Sequence, residues 1–276
     1  LTSGALAAGA THAAPATLRA QDRIKWRMQT YAGAELGAQV VQPAVEAFNT
    51  IAQGQMEIEL YFADQLVPTA ELFRAMQNGT IDAVQSDDDS MASPTEVTVF
   101  GGYFPLALRY SLDVPALFNH YGLDEIWKEE YAKVGIQHIS AGSWDPCHFS
   151  MKEPVTKLAD LQGKRVFTFP PAGRFLAQFG VVPEPLPWED IEKTCFEQSH
   201  YYRQHWYWAG EAKLRVEGAD TTLTTIPDEE WATVEEAARK FWDEIAAESE
   251  TKAKVVGIIK AYNEIMVKAG RPYRFA

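Results

Sequence analysis

The chain is poor in cysteine, in basic residues and in long apolar runs. Its two cysteines, Cys147 and Cys195, form no C-x-x-C pair and have no histidine at zinc spacing. Zinc binding is therefore disfavoured, and we expect either one disulfide or, as we favour, two structural thiols. Beyond the first residues, no run approaches the apolar length that spans a bilayer, so the mature chain is expected to be soluble or only tethered.

Basic residues are outnumbered by acidic ones, 25 against 38, which gives a net charge of −13. Phosphate binding needs clustered Lys and Arg, so nucleic acid is not expected as a partner. We interpret the negative charge as a source of solubility. The 276 residues are 46% hydrophobic and 12% aromatic, which is enough for a substantial core in one large or two medium domains.

The first residues are small, apolar and free of acids. Leu1 to Ala16 end in an Ala-Ala-Pro-Ala run, which is typical of the tail of an export signal. A flexible linker is the alternative interpretation of this segment. We expect 1–22 to be such an export remnant, and export predicts a periplasmic location.

The stretch from Asp160 to Pro187 is the most informative part of the chain. Lys164 to Phe169 is apolar and β-prone, and the prolines that follow end this strand. Ala172 to Phe179 then has helical spacing up to Gly180, and a second strand follows. Such a strand-to-helix junction lies at the carboxyl end of a strand, where free backbone N–H groups meet small molecules.

The remainder alternates between strand and helix patterns, which predicts a parallel or mixed sheet with helices on its faces. The predicted strands are 24–31, 56–61, 81–85, 137–141 and 147–151, and the predicted helices are 38–51, 69–77, 114–118, 123–133, 194–216, 227–249 and 251–268.

Three segments together resemble one known family, the DctP solute-binding proteins of tripartite ATP-independent periplasmic (TRAP) transporters. They are the stretch from Asp160 to Pro187 with LPWEDI at Leu186 to Ile191, ELFRAMQNGTIDAVQ at Glu71 to Gln85, and LDEIWKEEYAKVGIQHISAG at Leu123 to Gly142. The resemblance implies an α/β fold, a two-lobed periplasmic-binding-protein-like clamshell with mixed sheets and long C-terminal bracing helices.

The resemblance also implies an organisation in lobes. We expect lobe 1 at 23–140, lobe 2 at 141–193 and bracing helices at 194–276, with closure by a hinge near Ile139 to Ser143. One departure stands out, because several dozen residues that the family carries after Ile191 are missing. A true deletion would expose a sheet edge and an apolar face, so we favour an omitted segment.

A ligand carboxylate is typically held in this family by an arginine on the strand of lobe 2. The alignment of Leu161 to Gly163 puts Phe167 at that position, so a simple dicarboxylate is disfavoured. Arg174, early in the next helix, is a candidate substitute. The alternative is an exposed arginine whose stem packs on a neighbouring phenylalanine.

The acidic run Asp87, Asp88 and Asp89 follows a predicted strand where the family presents a loop to its ligand. These carboxylates favour a cation or a polyol, with Trp144, Asp145, Phe167 and Phe169 as the remainder of a polar and aromatic cage. The alternative is that the acids cap a turn and face water. Calcium is disfavoured, because the spacing of an EF-hand is absent.

The predicted function is an extracytoplasmic receptor that binds a small polar metabolite, an organic acid by family default, and delivers it to a TRAP permease in the membrane. An amine or polyol ligand is one alternative. A secreted enzyme is another, although no nucleophile elbow, Walker loop or dinucleotide fingerprint appears. We expect a monomer with no cofactor, no bound metal and no catalytic residues.

Overall fold

A computed structural model describes residues 23–101, 104–108, 113–142, 151–184, 224 and 226–270. Its first half is built on a three-stranded parallel sheet in the order β2-β1-β3. The strands are β1 (Ile24–Thr30), β2 (Met56–Tyr61) and β3 (Ala83–Gln85). Ile24 pairs with Met56 and Met28 with Ala83, so all three carboxyl ends lie at one edge of the sheet.

Helices connect these strands. After β1 come α1 (Ala34–Leu36), a π-helical turn (Gly37–Val41) and α2 (Gln42–Ile51). The helix predicted at 38–51 therefore begins earlier, at residue 34, and the π-helical turn interrupts it. A side chain at Gly37 would lie 2.4 Å from the Phe62 ring, which explains the glycine there. After β2 come a 3-10 turn (Thr69–Glu71) and α3 (Leu72–Gln77).

Three further helices complete the first half. They are α4 (Thr98–Gly101), α5 (Asp113–His120) and α6 (Leu123–Lys133), the last with the bounds expected from its pattern. The first half and later elements share one apolar core, which includes Leu72, Ile81 and Leu117 at 1% exposure or less. A second, smaller cluster of Ala32, Val41 and Val45 joins α2 to the sheet.

The second half contains the predicted strand, helix and strand. β4 (Arg165–Phe167) pairs in parallel with β5 (Val182–Glu184), and α7 (Pro170–Ala177) connects them. The prolines open α7 rather than preceding it, because proline at the first helical positions sacrifices no hydrogen bond. Both described sheets are parallel throughout. The alternating pattern predicted parallel or mixed sheets, and the family resemblance implied mixed ones.

The predicted strand Gln137–Ala141 is wrong. These residues follow α6 and a left-handed turn at Gly135 (φ +77), and none of them pairs with a described strand. Ile139 is 66% exposed, so β-prone residues here lack the sheet neighbour that stabilises a strand. Residues 139–142, where we predicted part of a hinge, therefore contain no crossing strand, and Ser143 lies outside the described residues.

Two long helices end the described chain, α8 (Asp228–Ala246) and α9 (Glu250–Lys268), close to the predicted bounds. The Trp242 indole donates to the Pro105 carbonyl (2.8 Å) and the Asn263 amide to the Ala107 carbonyl (3.1 Å), which fixes the pair to the first half. The Phe241 ring contacts Phe104 (5.9 Å between centroids) and, in the second half, Phe175 (5.8 Å).

Some predictions concern residues that the structure does not describe. The predicted helix 194–216 lies wholly outside the described residues, and the predicted strand 147–151 lies outside them except for Met151, which is in no strand. Among the described residues, no helix is both long enough and apolar enough to cross a membrane.

Candidate functional site

The carboxyl edge of the first sheet is where this architecture presents side chains to a small molecule. Three segments leave the strands at this edge: 31–33 after β1, 62–67 after β2 and 86–90 after β3. The acidic run lies in the third segment, as predicted.

The last two residues of β1 are polar and fully buried, at 0% exposure each. The Gln29 amide donates to the Val67 carbonyl (2.7 Å) and accepts from the backbone N–H groups of Leu66 (2.9 Å) and Val67 (3.1 Å). The Thr30 hydroxyl donates to the side chain of Gln85 at the end of β3. The side chains of the central strand are therefore bonded to the segment that follows β2 and to the end of β3.

Asp87 folds the acidic segment onto itself. Its carboxylate accepts from the backbone N–H of Ser90 (2.7 Å) and from the Ser90 hydroxyl (2.8 Å). Burial raises the pKa of this carboxyl, and the bonds from Ser90 lower it in part. Asp87 thus caps a turn, as the alternative interpretation predicted, but its carboxylate is largely buried rather than facing water.

Asp88 anchors the segment to α6. Its carboxylate is 8% exposed and accepts from the Tyr131 hydroxyl and from the Trp127 indole N–H (3.3 Å). Burial raises the pKa of Asp88, and these two donors oppose the shift. α4 approaches so closely that a side chain at Gly101 would lie 2.3 Å from Asp88 Oδ2.

Asp89 differs from its two neighbours. Its Oδ2 atom is buried, and no described residue forms a hydrogen bond with it. Burial, and then the charges of Asp87 and Asp88, raise its pKa to about 7. Of the three predicted acids, Asp89 is the one with a buried carboxylate oxygen that has no hydrogen-bond partner among the described residues.

His138 is a half-buried ionisable group close to Asp88 and Asp124. Its ring lies between Phe118 (6.1 Å) and Tyr131 (5.7 Å), and its Nδ1 is 3.6 Å from an oxygen of Asp124. Burial lowers the pKa of His138, and the charges of Asp88 and Asp124 oppose this shift in part.

Phe167, Phe169 and Arg174 all belong to the strand-helix-strand unit of the second half. The Phe167 and Phe169 rings are 5.8 Å apart, edge to face, at the carboxyl end of β4. Arg174 is on α7, where its guanidinium lies 5.5 Å from the Phe241 ring and 3.1 Å from the Glu248 carboxylate. The arginine therefore has an internal counter-ion.

Trp144 and Asp145 lie outside the described residues, so their predicted role stays a prediction. The described residues contain no group of three or more His, Cys, Asp and Glu side chains that could hold a metal. Sequence reasoning missed Gln29, Thr30, Trp127, Tyr131 and Gly101. Two consecutive polar residues that break the alternation of β1 were the one available signal. The other three depend on contacts about 40 residues apart in sequence or on close backbone approach.

Comparison with known proteins places this geometry in a family. Residues 38–192 match the model of DctP, described as bacterial extracellular solute-binding protein, family 7. A TRAP periplasmic solute-binding protein from Chromohalobacter salexigens, solved with bound (S)-(+)-2-amino-1-propanol, is 59% identical. That match covers 92% of this chain and 99% of the other, with a TM-score of 0.78.

Two more distant proteins are also similar. A monocarboxylate 2-oxoacid-binding periplasmic protein of Nostoc is 24% identical over 179 residues, which is 61% of this chain but 46% of that relative, so the chain spans less than half of its length. The periplasmic ectoine-binding protein of the Halomonas elongata TeaABC transporter is 16% identical, with a TM-score of 0.66. That match covers 86% of this chain and 98% of the other, and it supports the fold alone.

Proposed function

Because the chain belongs to the DctP family of bacterial extracellular solute-binding proteins (family 7), we propose that it is the extracytoplasmic receptor of a TRAP-type secondary transporter and binds a small polar metabolite. It has the α/β clamshell fold of that family and a periplasmic location. The observation that carries the proposal is the 59% identity to the Chromohalobacter protein over nearly the whole of that chain.

The proposed partners are the solute and the membrane subunits of a TRAP permease, to which a monomeric receptor delivers its cargo. Family members are solute-binding receptors, and we propose that this chain likewise releases its ligand unchanged. The proposed organisation is lobe 1 at 23–140, lobe 2 at 141–193 and bracing helices at 194–276.

The ligand is proposed to be small and polar, without restriction to one charge. The Chromohalobacter protein holds an amino alcohol, and the Nostoc relative is named for 2-oxoacids. A receptor restricted to amines or polyols is therefore not favoured, nor is a secreted enzyme. An organic acid remains the ligand that we principally expect, and an amino alcohol is the main alternative.

The proposed site joins the carboxyl edges of the two sheets. We assign direct ligand contact to Asp89 in lobe 1 and to Phe167, Phe169 and Arg174 in lobe 2, with Trp144 and Asp145 as further contacts. Asp87 and Asp88 were predicted in the same role, and their bonds to Ser90, Tyr131 and Trp127 support a role in shaping the loop.

Thermal-shift titration tests the proposal. The panel contains (S)-2-amino-1-propanol, pyruvate and pyroglutamate, with 1-propanol as the apolar control. A ligand at 100 times its dissociation constant stabilises the folded receptor by about 2.7 kcal/mol, which is a shift of several degrees. Mass spectrometry of the recovered ligand should find it unchanged.

Two variants separate the ligand classes. Asp89→Asn should abolish the shift from the amino alcohol and spare that from pyruvate, while Arg174→Gln should do the reverse. No shift with any polar panel member, or conversion of one to a product, would contradict the receptor function.

A further inference from the structure

At the carboxyl edge of the first sheet, side chains of the central strand hold the neighbouring segments in place. Gln29 and Thr30 end β1, which lies between β2 and β3, and both are fully buried. A buried amide or hydroxyl destabilises a fold unless it is hydrogen-bonded, so the partners of these two side chains account for their presence.

The bonds of Gln29 all go to one segment. Its amide exchanges hydrogen bonds in both directions with the backbone of Val67 and accepts a third from Leu66, at 2.7 to 3.1 Å. An amide that both donates to and accepts from the backbone fixes the position of that backbone. Gln29 thus holds the far end of the segment 62–67, which follows β2, against the carboxyl end of β1.

Thr30 acts on the other neighbour. Its hydroxyl donates to the Gln85 side chain and accepts from the backbone N–H of Ala32 (3.0 Å), while Tyr31 N–H donates to the Gln85 carbonyl (3.1 Å). The acidic segment begins at the next residue. The same strand end therefore holds the end of the segment after β2 and the start of the segment after β3.

We propose that Gln29 and Thr30 form a polar clamp that positions the ligand-facing segments of lobe 1 before any ligand arrives. This inference rests on the proposed function and adds two positioning residues to it. Preorganisation of a binding edge raises affinity because less ordering remains when the ligand binds. Neither residue needs to touch the solute.

The chain contains a matched control for the clamp. The Asn49 amide, on α2, donates to the Ile58 carbonyl (2.9 Å) and accepts from the Ile58 N–H (2.8 Å). It is the same chemistry on the same sheet, but Ile58 lies three residues before the carboxyl end of β2. A purely structural role predicts similar effects of Gln29→Ala and Asn49→Ala, whereas the clamp predicts different ones.

The experiment compares both variants in the full chain, well below their melting temperatures. Both should lower Tm. Only Gln29→Ala should weaken binding of the panel ligand that stabilises the wild type, by about tenfold. Gln29→Glu keeps an oxygen that accepts from the Leu66 and Val67 N–H groups, so it should retain part of the affinity. Thr30→Val removes the hydroxyl that bonds Gln85 and Ala32, so it should weaken binding.

Amide hydrogen exchange of the ligand-free chain gives an independent measurement. Gln29→Ala should speed exchange at Leu66 and Val67 at least about tenfold and leave Ile58 unchanged, with the reverse pattern in Asn49→Ala. Unchanged exchange at Leu66 and Val67, or equal loss of affinity in both variants, would overturn the clamp. A wild-type chain that bound no panel ligand would contradict the proposed function, and the exchange result would then decide the clamp by itself.

Discussion

At the scale of single residues, the acidic run shows how three identical side chains acquire different roles. Asp87 is bonded to Ser90 and Asp88 to Tyr131 and Trp127, while the buried Oδ2 of Asp89 has no partner among the described residues. The position of each carboxylate relative to its neighbours, rather than its chemical type, decides its role.

Asp89 should make the stability of the receptor depend on pH. Its pKa is about 7 in the folded chain, against 3.8 as the ordinary value. Between these two pH values the folded state keeps a proton that the unfolded state has lost. The free energy of unfolding therefore falls as pH rises from about 4 to about 7, by at most ~1.4 kcal/mol per pH unit.

Urea unfolding at pH 5, 6, 7 and 8 measures this effect. Asp89→Asn should gain stability over the wild type as pH rises to 7 and then level off. Asp82→Asn is the control, because bonds from Arg27 lower the pKa of Asp82 and its offset should stay constant over this range. Parallel curves for Asp89→Asn and the wild type would show that Asp89 titrates normally.

At the scale of helices and strands, the sequence predicted most elements because their signals are local. Met56–Tyr61 and Leu123–Lys133 have the expected bounds, since apolar alternation and helical spacing are visible within the segments themselves. Gln137–Ala141 failed for the opposite reason. A strand needs a neighbour, and no local pattern reveals whether one is present.

The site was less predictable than the elements. The position of the acidic run at a strand end followed from topology, but its anchoring by Tyr131, 43 residues later, did not. The ion pair between Arg174 and Glu248 joins residues 74 apart. Tertiary packing brings such partners together, and no local pattern in a single sequence reveals them.

The start of α9 offers a test at this scale. Ser249 accepts a hydrogen bond from the Lys252 N–H (3.2 Å) and donates one to Glu96. Ser249→Ala should lower the free energy of unfolding by about 1 kcal/mol, because a helix N–H loses its cap. Ser249→Asn should recover most of this in thermal or urea unfolding. Equal losses in both variants would mean that the cap contributes nothing.

At the scale of the whole molecule, one core joins the first half, α7 and the C-terminal helices. Phe241 is 1% exposed and contacts rings from both halves. Phe241→Ala should destabilise the chain by about 3 to 5 kcal/mol in a single transition, because the cavity weakens both halves together.

Urea unfolding followed by tryptophan fluorescence and by circular dichroism tests this prediction. Phe48→Ala is the control, since the Phe48 side chain is 37% exposed and its removal should cost far less. Two separated transitions in the Phe241 variant would contradict a shared core.

The attachment of the C-terminal helices has a mechanical consequence. Trp242 and Asn263 join this hairpin to the first half through buried hydrogen bonds. Its polar bonds to the second half are the exposed ion pair of Arg174 with Glu248 and a part-buried bond from the Leu158 N–H to the Glu230 carboxylate, beside the edge-to-face contact of Phe241 with Phe175. Water can replace the partners of an exposed ion pair, but it cannot reach those of a buried bond. The hairpin should therefore move as one body with the first half, and the second half should rotate against it.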